Sequence, residues 1–471
     1  MTNGGARRRG LALAIVIVGI CMVMLDTTVV NVALPAFEWS LGANDAQLSW
    51  IVTGYTLASG ISLIPAGRLG DRIGHKPVFL VGLAVFTLAS LWCGLAQTAD
   101  ELVVARIVQG LGGGIYYPTV TSFIQVLYSG RARGRAFGLM GSVIGMTTAL
   151  GPLVGGIFIE TLGIQDGWRW IFFVNIPIGV ILFVAGLALL PRGRVPGRQR
   201  SGIDPFGILL VTVGLVAIIL PLVQSSEGGW PAWTWSLVAV GAFVLAGFYL
   251  WEKRVERRGR APLVPPHLFA HRSFTGGVIN GTAFFAAFTT IFFVLSIYWQ
   301  NSLGHSALET GLMMVPNSLA SVIGAFLSER ATHRFGRGVL VVGAGAVSIG
   351  LIWLALVVLL VPPAQTDWVT VLIPTVLVGF GTGYFIAPNT QFIVATVDPA
   401  EAGAASGVVS TVQRLGAAIG IAIVAAVFFG VSSAAGPALG VPVAIGVSAV
   451  LSLIAFALVY TLPKRLPEFH G

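Results

Sequence analysis

Residues 11–35 read LALAIVIVGICMVMLDTTVVNVALP, and three arginines, Arg7–Arg9, stand just before them. A spanning helix needs about 20 mostly apolar residues, and this stretch supplies them. It outlasts the hydrophobic region of a signal peptide, and the acidic Asp26 interrupts it. It therefore reads as a first membrane helix that stays in the protein. Lys and Arg in short loops remain on the cytoplasmic side of a membrane, so this helix starts inside.

The same pattern recurs to the end of the chain. Of 27 Lys and Arg residues, 24 fall in seven clusters: Arg7–Arg9, Arg68–Lys76, Arg131–Arg135, Arg192–Arg200, Lys253–Arg272, Arg330–Arg337 and Lys464–Arg465. Two long apolar segments separate each cluster from the next. The length rule gives roughly fourteen segments. The first six lie near 11–35, 48–66, 77–97, 102–127, 136–160 and 170–190. Two more lie near 206–224 and 234–251. The last six lie near 274–299, 308–328, 338–361, 368–391, 403–430 and 440–462. The alternate loops carry Glu38, Asp45, Asp100, Glu101, Asp166, Glu227 and Asp367, with Arg169 as their one base. Both termini are expected in the cytoplasm.

Composition agrees. Of the 471 residues, 56% are hydrophobic and 10% charged, where a soluble domain carries about 25% charged. The +9 charge sits in one-sided loops without interleaved aromatics, so no nucleic-acid partner is expected. Cys21 and Cys93 lie inside apolar segments and form no disulfide framework.

The chain repeats itself. Segment five reads Ala136-Phe137-Gly138 and later Gly145 and Gly151; segment thirteen reads Ala405-Ser406-Gly407, then Arg414 and Gly420. The offset is 269 (405−136, 420−151), which starts the second half at segment nine and makes segments seven and eight an insert. The expected fold is an all-α polytopic membrane protein of 14 transmembrane helices, two six-helix halves plus two inserted helices. The expected division is 1–200, 201–260 and 261–471. The two inward loops also match loosely, Gly70–Lys76 against Ser328–Arg337.

Asp26 is the one acid deep inside an apolar segment, at a cost of about 2.5–3.5 kcal/mol on insertion scales. Counting about 1.5 Å per residue, Asp26, Arg106 and Arg414 all fall in the outer half of the bilayer. These three are the candidate proton-coupling residues. A counter-charge favours the carboxylate and burial favours the acid, so a rearrangement can switch Asp26 between them. A permanent structural ion pair, or direct binding of a cation by Asp26, are the other readings. Gly151-Pro152 is the candidate hinge among many glycines suited to close helix packing. Asn31, Tyr116, Asn280, Phe284, Phe288, Phe292, Tyr384 and Asn389 are candidate substrate-binding residues, because apolar walls with a few polar groups suit a lipophilic ligand. Lining against lipid or core is the bland alternative for each. His267 and His271 share i, i+4 spacing, but Pro265-Pro266 before them argues for a loop, so no metal is expected. No phosphate-binding Gly-Lys-Ser/Thr motif occurs, so the sequence gives no support to ATP-driven transport.

Five motifs, in order and on the right segments, resemble the fourteen-helix drug:proton antiporter family of the major facilitator superfamily. They are Leu25–Pro35; Gly67-Arg-Leu-Gly-Asp71-Arg72-Ile-Gly74-His75-Lys76; Leu102-x3-Arg106-x2-Gln109-Gly110-x-Gly112; Gly141-x3-Gly145 with Gly151-Pro152-x2-Gly155-Gly156; and Gly167-Trp168-Arg169-Trp170 with Asn175-Ile-Pro177. The resemblance spans essentially the whole chain. It implies a major-facilitator fold that alternates access by rocking its halves. It implies proton coupling through Arg106, protonation at Asp26, and gating around Gly67, Asp71, Arg72 and Gly74. His75 stands where the family often has Arg. The extra membrane acids of members that export divalent organic cations are missing, so a dicationic substrate is not implied. The expected function is proton-coupled export of lipophilic drugs or antibiotics from the inner membrane of a bacterial-type cell. Export of a lipid or lipid-like molecule by the same fold is the alternative. The expected partners are the substrate and membrane lipids; the chain is expected to act as a monomer, without cofactor, on the proton gradient. A membrane enzyme would need acids or histidines clustered at one interface, and here they are scattered.

Overall fold

In hydrocarbon every backbone N–H and C=O must be satisfied within its own segment, so an apolar chain of this kind becomes helical. The computed structural model describes residues 3–128, 130–191, 204–224, 232–260, 262–394, 397 and 402–464. Its helices are α1 (Asn3–Leu41), α2 (Asp45–Ile73), α3 (His75–Leu95), α4 (Ala99–Leu127), α5 (Gly130–Leu162), α6 (Gly167–Phe173), α7 (Asn175–Leu189), α8 (Pro205–Gln224) and α9 (Ala232–Arg257). They continue as α10 (Arg272–Phe288), α11 (Thr290–Ile297), α12 (Ala307–Phe335), α13 (Gly338–Leu360), α14 (Trp368–Val394), α15 (Ala402–Ala435) and α16 (Pro437–Leu458). The pairs α6–α7 and α10–α11 each make one broken crossing, which gives fourteen crossings among the described residues. The expected boundary at 200/201 and the cluster Arg192–Arg200 lie outside the described residues.

The segments run longer than expected at several ends. Pro35, expected to close the first segment, sits inside α1. Proline removes the N–H that would bond the carbonyl four residues back, at Asn31. Ser296 of α11 supplies the missing donor: its Oγ donates to that carbonyl at 2.5 Å. One turn on, Gln300 Nε2 donates to Val32 O at 2.9 Å, and Asn301 Nδ2 to Glu38 at 2.7 Å. These bonds join the two halves at the end of the bundle with the acidic loops.

The repeat extends to packing. Gly110, Gly112 and Gly114 of α4 press on Tyr55, Phe86 and Ser59; Gly379, Gly381 and Gly383 of α14 press on Asn317, Val347 and Ser321. The offset is again 269 (379−110). At the turns after α2 and α12, Gly74 (φ 103°) and Gly336 (φ 52°) adopt the positive φ that glycine tolerates. Each donates its N–H to the residue four back, Gly70 or Thr332. The halves meet where α12 packs on α5 and α15 on α2. The insert does not lie between them in space. Its α8 packs along the α2–α15 seam through Leu215 and Ile219 against Leu57, Ala418 and Ala422. Its α9 covers α8 and turns Phe243 outward.

Candidate functional site

Arg106 and Gln109 lie three residues apart on α4 and so share a face. That face meets Asp26 of α1. Arg106 Nη1 donates to Asp26 Oδ2 at 2.5 Å and to Gln109 Oε1 at 2.7 Å; Gln109 Nε2 donates to Asp26 Oδ1 at 2.8 Å. Arg106 Nε donates to Ile51 O at 3.2 Å, and the Tyr55 ring lies 4.0 Å from its Cζ. Gly110 explains the approach of α2: a Cβ there would stand 3.0 Å from the Tyr55 Cα, so only glycine lets Ile51 and Tyr55 come this close. Asp26, Arg106 and Gln109 are all buried. Both Asp26 oxygens are occupied, so in this conformation it does not present itself to a cationic ligand. An ion pair sealed from water holds because each charge has several partners, and removing one partner costs about 3–5 kcal/mol.

Arg414 stands outside this cluster. It is half-buried on α15, its guanidinium 5.1 Å from the Tyr117 ring of α4 and its Cβ packed at Gly60 of α2. It forms no ion pair with Asp26.

The candidate wall residues divide. Tyr116 is buried, donates to Gly19 O at 2.8 Å and packs between Phe79 and Phe86, so it belongs to the core of the first half. Its neighbour Tyr117 is the one that faces the seam, a consequence of the helical 100° step. Phe284 is also core, stacked on Phe385 of α14 at 3.9 Å. Asn31 spends its Nδ2 on Thr27 O at 3.2 Å and its carbonyl on Ser296. Asn280 and Asn389 are buried between α10 and α14; Asn389 donates to Gly277 O at 3.3 Å, and both side-chain polar atoms of Asn280 have no partner. Phe288, Phe292 and Tyr384 are half-buried.

Of the candidate gating residues, Gly74 forms the α2–α3 corner and Arg72 is exposed beside it. The Asp71 side chain lies outside the described residues. Gly67 has open space around it, with Pro118 Cβ the nearest atom at 4.0 Å. Gly151 lies against Thr28 and Gly155 against Val29 of α1, while Gly156 meets the Ala307 carbonyl of α12 and Gly311 meets that of Pro152. What the structure shows for Gly151 and Pro152 is close packing within and between halves.

Sequence reasoning missed several partners. Gln109 stood inside a quoted motif without a role; its signal was the three-residue spacing from Arg106. Arg68, in the loop motif, donates to the carbonyls of Pro262 and Leu263 and ties α2 to the linker before α10. Asp204 and Glu252 are buried together at the insert. A Cβ on Gly207 would stand 2.8 Å and 2.6 Å from their oxygens, while Asp204 accepts from Trp251 Nε1 at 2.7 Å and Glu252 from Val264 N at 2.9 Å.

Comparison with known proteins adds the family. The Major Facilitator Superfamily model matches residues 16–205 and 205–421. The chain is 38% identical over 87% of its length, and 70% of the relative's, to a probable actinorhodin transporter of Streptomyces coelicolor. It is 36% identical over 88% of its length to the puromycin resistance protein of Streptomyces alboniger, covering 81% of it. It is 32% identical over 86% of its length to the tetracenomycin C resistance and export protein of Streptomyces glaucescens, covering 73% of it. Its fold matches the partially occluded inward-open xylose transporter of E. coli, with TM-score 0.64, 15% identity and 99% of each chain covered.

Proposed function

This chain belongs to the Major Facilitator Superfamily, and from that premise we propose that it is a fourteen-helix drug:proton antiporter, which exports lipophilic small molecules, drugs or antibiotics among them, in exchange for protons. It is a multi-pass membrane transporter, not an enzyme. The basic face of the bundle, with both termini, is the cytoplasmic one on this reading. The observation that carries the proposal is the sealed Asp26–Arg106–Gln109 cluster.

The proton acts as follows. Its arrival on Asp26 removes the charge that holds α1 to α4. Arg106 keeps Gln109 and the Ile51 carbonyl. Helix α1 is then free to shift, and five residues further it carries Asn31, whose carbonyl helps close the acidic end. Protonation at Asp26 is thereby coupled to opening at that end, and release to the cytoplasm restores the ion pair. No cofactor and no partner chain enters this scheme. One proton moving inward supplies about 2.3 kcal/mol per 100 mV, enough for roughly a fifty-fold gradient of a neutral solute.

The test uses purified protein in proteoliposomes with an imposed pH gradient and a panel of dyes, antibiotics and lipids. Wild-type protein should show substrate-driven proton flux. Asp26→Asn should show none and should not concentrate substrate. Wild-type uphill transport by Asp26→Asn overturns the proposal and leaves the cluster a structural ion pair. Orientation is checked at Ile73, an exposed residue beside the buried His75: Ile73→Cys should resist an impermeant thiol reagent in intact cells, and ready labelling reverses the assignment.

A further inference from the structure

The charges inside the bundle are distributed unequally. The acid is sealed and both its oxygens are taken. The second intramembrane base, Arg414, has no ion pair among the described residues. It is half-buried and reaches from α15 of one half toward Tyr117 of α4 in the other, on the seam where α15 packs on α2. One turn earlier on the same face, Thr411 Oγ1 is buried without a hydrogen-bond partner. An intramembrane arginine is costly unless something answers its charge. Arg414 therefore offers a ligand a positive charge at this seam, 5.1 Å from the Tyr117 ring, and a guanidinium can bond an acidic group bidentately.

We propose that Arg414, with Thr411 beside it and Tyr117 beneath it, is an anchoring site for the acidic group of a lipophilic anion: a carboxylate, phenolate or phosphate on an apolar body. This rests on the exporter reading and gives it a substrate class. The repeat supports a role specific to this half, because the position matching Arg414 in α5 is Gly145 (414−269). The site lies at the seam, so a ligand held there touches both halves and is released when they rock apart. A membrane phospholipid and a free organic acid carry the same chemistry, and the test separates them.

Full-length protein in phosphatidylcholine nanodiscs is titrated with pyrenebutyrate and with its uncharged primary amide. Wild-type protein should prefer the carboxylate by about tenfold, the ratio expected of one charge-assisted contact. Arg414→Gln should bring that ratio to about one through loss of carboxylate affinity, and Arg414→Lys should retain part of it. Thr411→Val, which leaves the guanidinium in place, should lower it by about threefold, one net hydrogen bond; this reads the site even where the arginine variants fold poorly. Adding phosphatidylglycerol to the nanodiscs tells the sources apart: displacement of the probe assigns the site to lipid phosphate, and no displacement assigns it to free organic acids. Equal binding of acid and amide by wild-type protein overturns the anchor alone, as does an Arg414→Gln protein that keeps the preference. A change in proton release without a change in preference makes Arg414 a coupling residue instead. Failure of both probes to bind counts against the lipophilic site itself and takes the anchor with it.

Discussion

The two halves share a scaffold and differ in what fills it. Glycine triplets on α4 and α14 press on equivalent residues of the neighbouring helices. Gly151 rests on Thr28 of α1, and its counterpart Gly420 rests on Ala286 of α10. Two residues before these contacts stand Asp26 in one half and Phe284 in the other. Four residues before Gly110 and Gly379 stand Arg106 and Thr375, and one residue before stand Gln109 and Val378. Where the first half holds an ion pair, the second holds Phe284 stacked on Phe385, and Asn317 donating to Thr375 O at 2.8 Å. Close helix approach is thus a property of the repeat. The buried ion pair belongs to one copy alone, so on the proposed reading proton chemistry lies in the first half, while the second half has an uncharged core and the seam arginine.

Six variants probe this comparison. The largest effect is expected from Arg106→Ala, which strands a buried carboxylate. Concentrative export in proteoliposomes should fall by about 100-fold or more, in line with the cost of breaking a buried pair. Its pH dependence should vanish as well. Thr375→Ala, at the matching position, should change export by less than about twofold, since its hydroxyl bonds only its own helix. An unchanged pH profile in Arg106→Ala would remove Arg106 from the coupling and end the asymmetry. Next comes Phe284→Ala, expected to cost about 3–5 kcal/mol of stability through a core cavity. A thermal melt reads this, and the pH profile should stay in place; a shifted profile would mean that the second half takes part in coupling. Gly114→Val and Gly383→Val should each cost about 1–3 kcal/mol or more by forcing side chains onto the Ser59 and Ser321 backbones. Comparable losses in melting temperature sharpen the scaffold argument, whereas tolerance of one and not the other breaks it. Within the buried cluster the smaller effect is expected from Gln109→Leu, about 1–3 kcal/mol for an unsatisfied buried carboxylate oxygen. Export should be reduced but measurable, with a displaced pH profile. An unmoved profile makes Gln109 a spacer.

Much of this was legible in residue order alone. The alternation of basic and acidic loops around apolar segments of spanning length determined the number of crossings, because water and hydrocarbon impose charge placement and helix length on any chain. The 269-residue offset determined the two halves and the insert. The depth of Asp26 and Arg106 made them candidate partners, since each helical residue advances a known distance along the membrane normal. Depth is one coordinate of three. Rotation about the helix axis and the choice of neighbour come only from packing, and there the tertiary structure decided. It joined Asp26 to Arg106 through Gln109 and left Arg414 on Tyr117. It sent Tyr116 into the core and its neighbour Tyr117 to the seam. It laid α8 across that seam, and it used the carbonyl freed by Pro35 to tie the halves together. Each outcome depends on which side chains a neighbouring helix presents at close range, a relation that residues far apart in the chain acquire only once the bundle has formed.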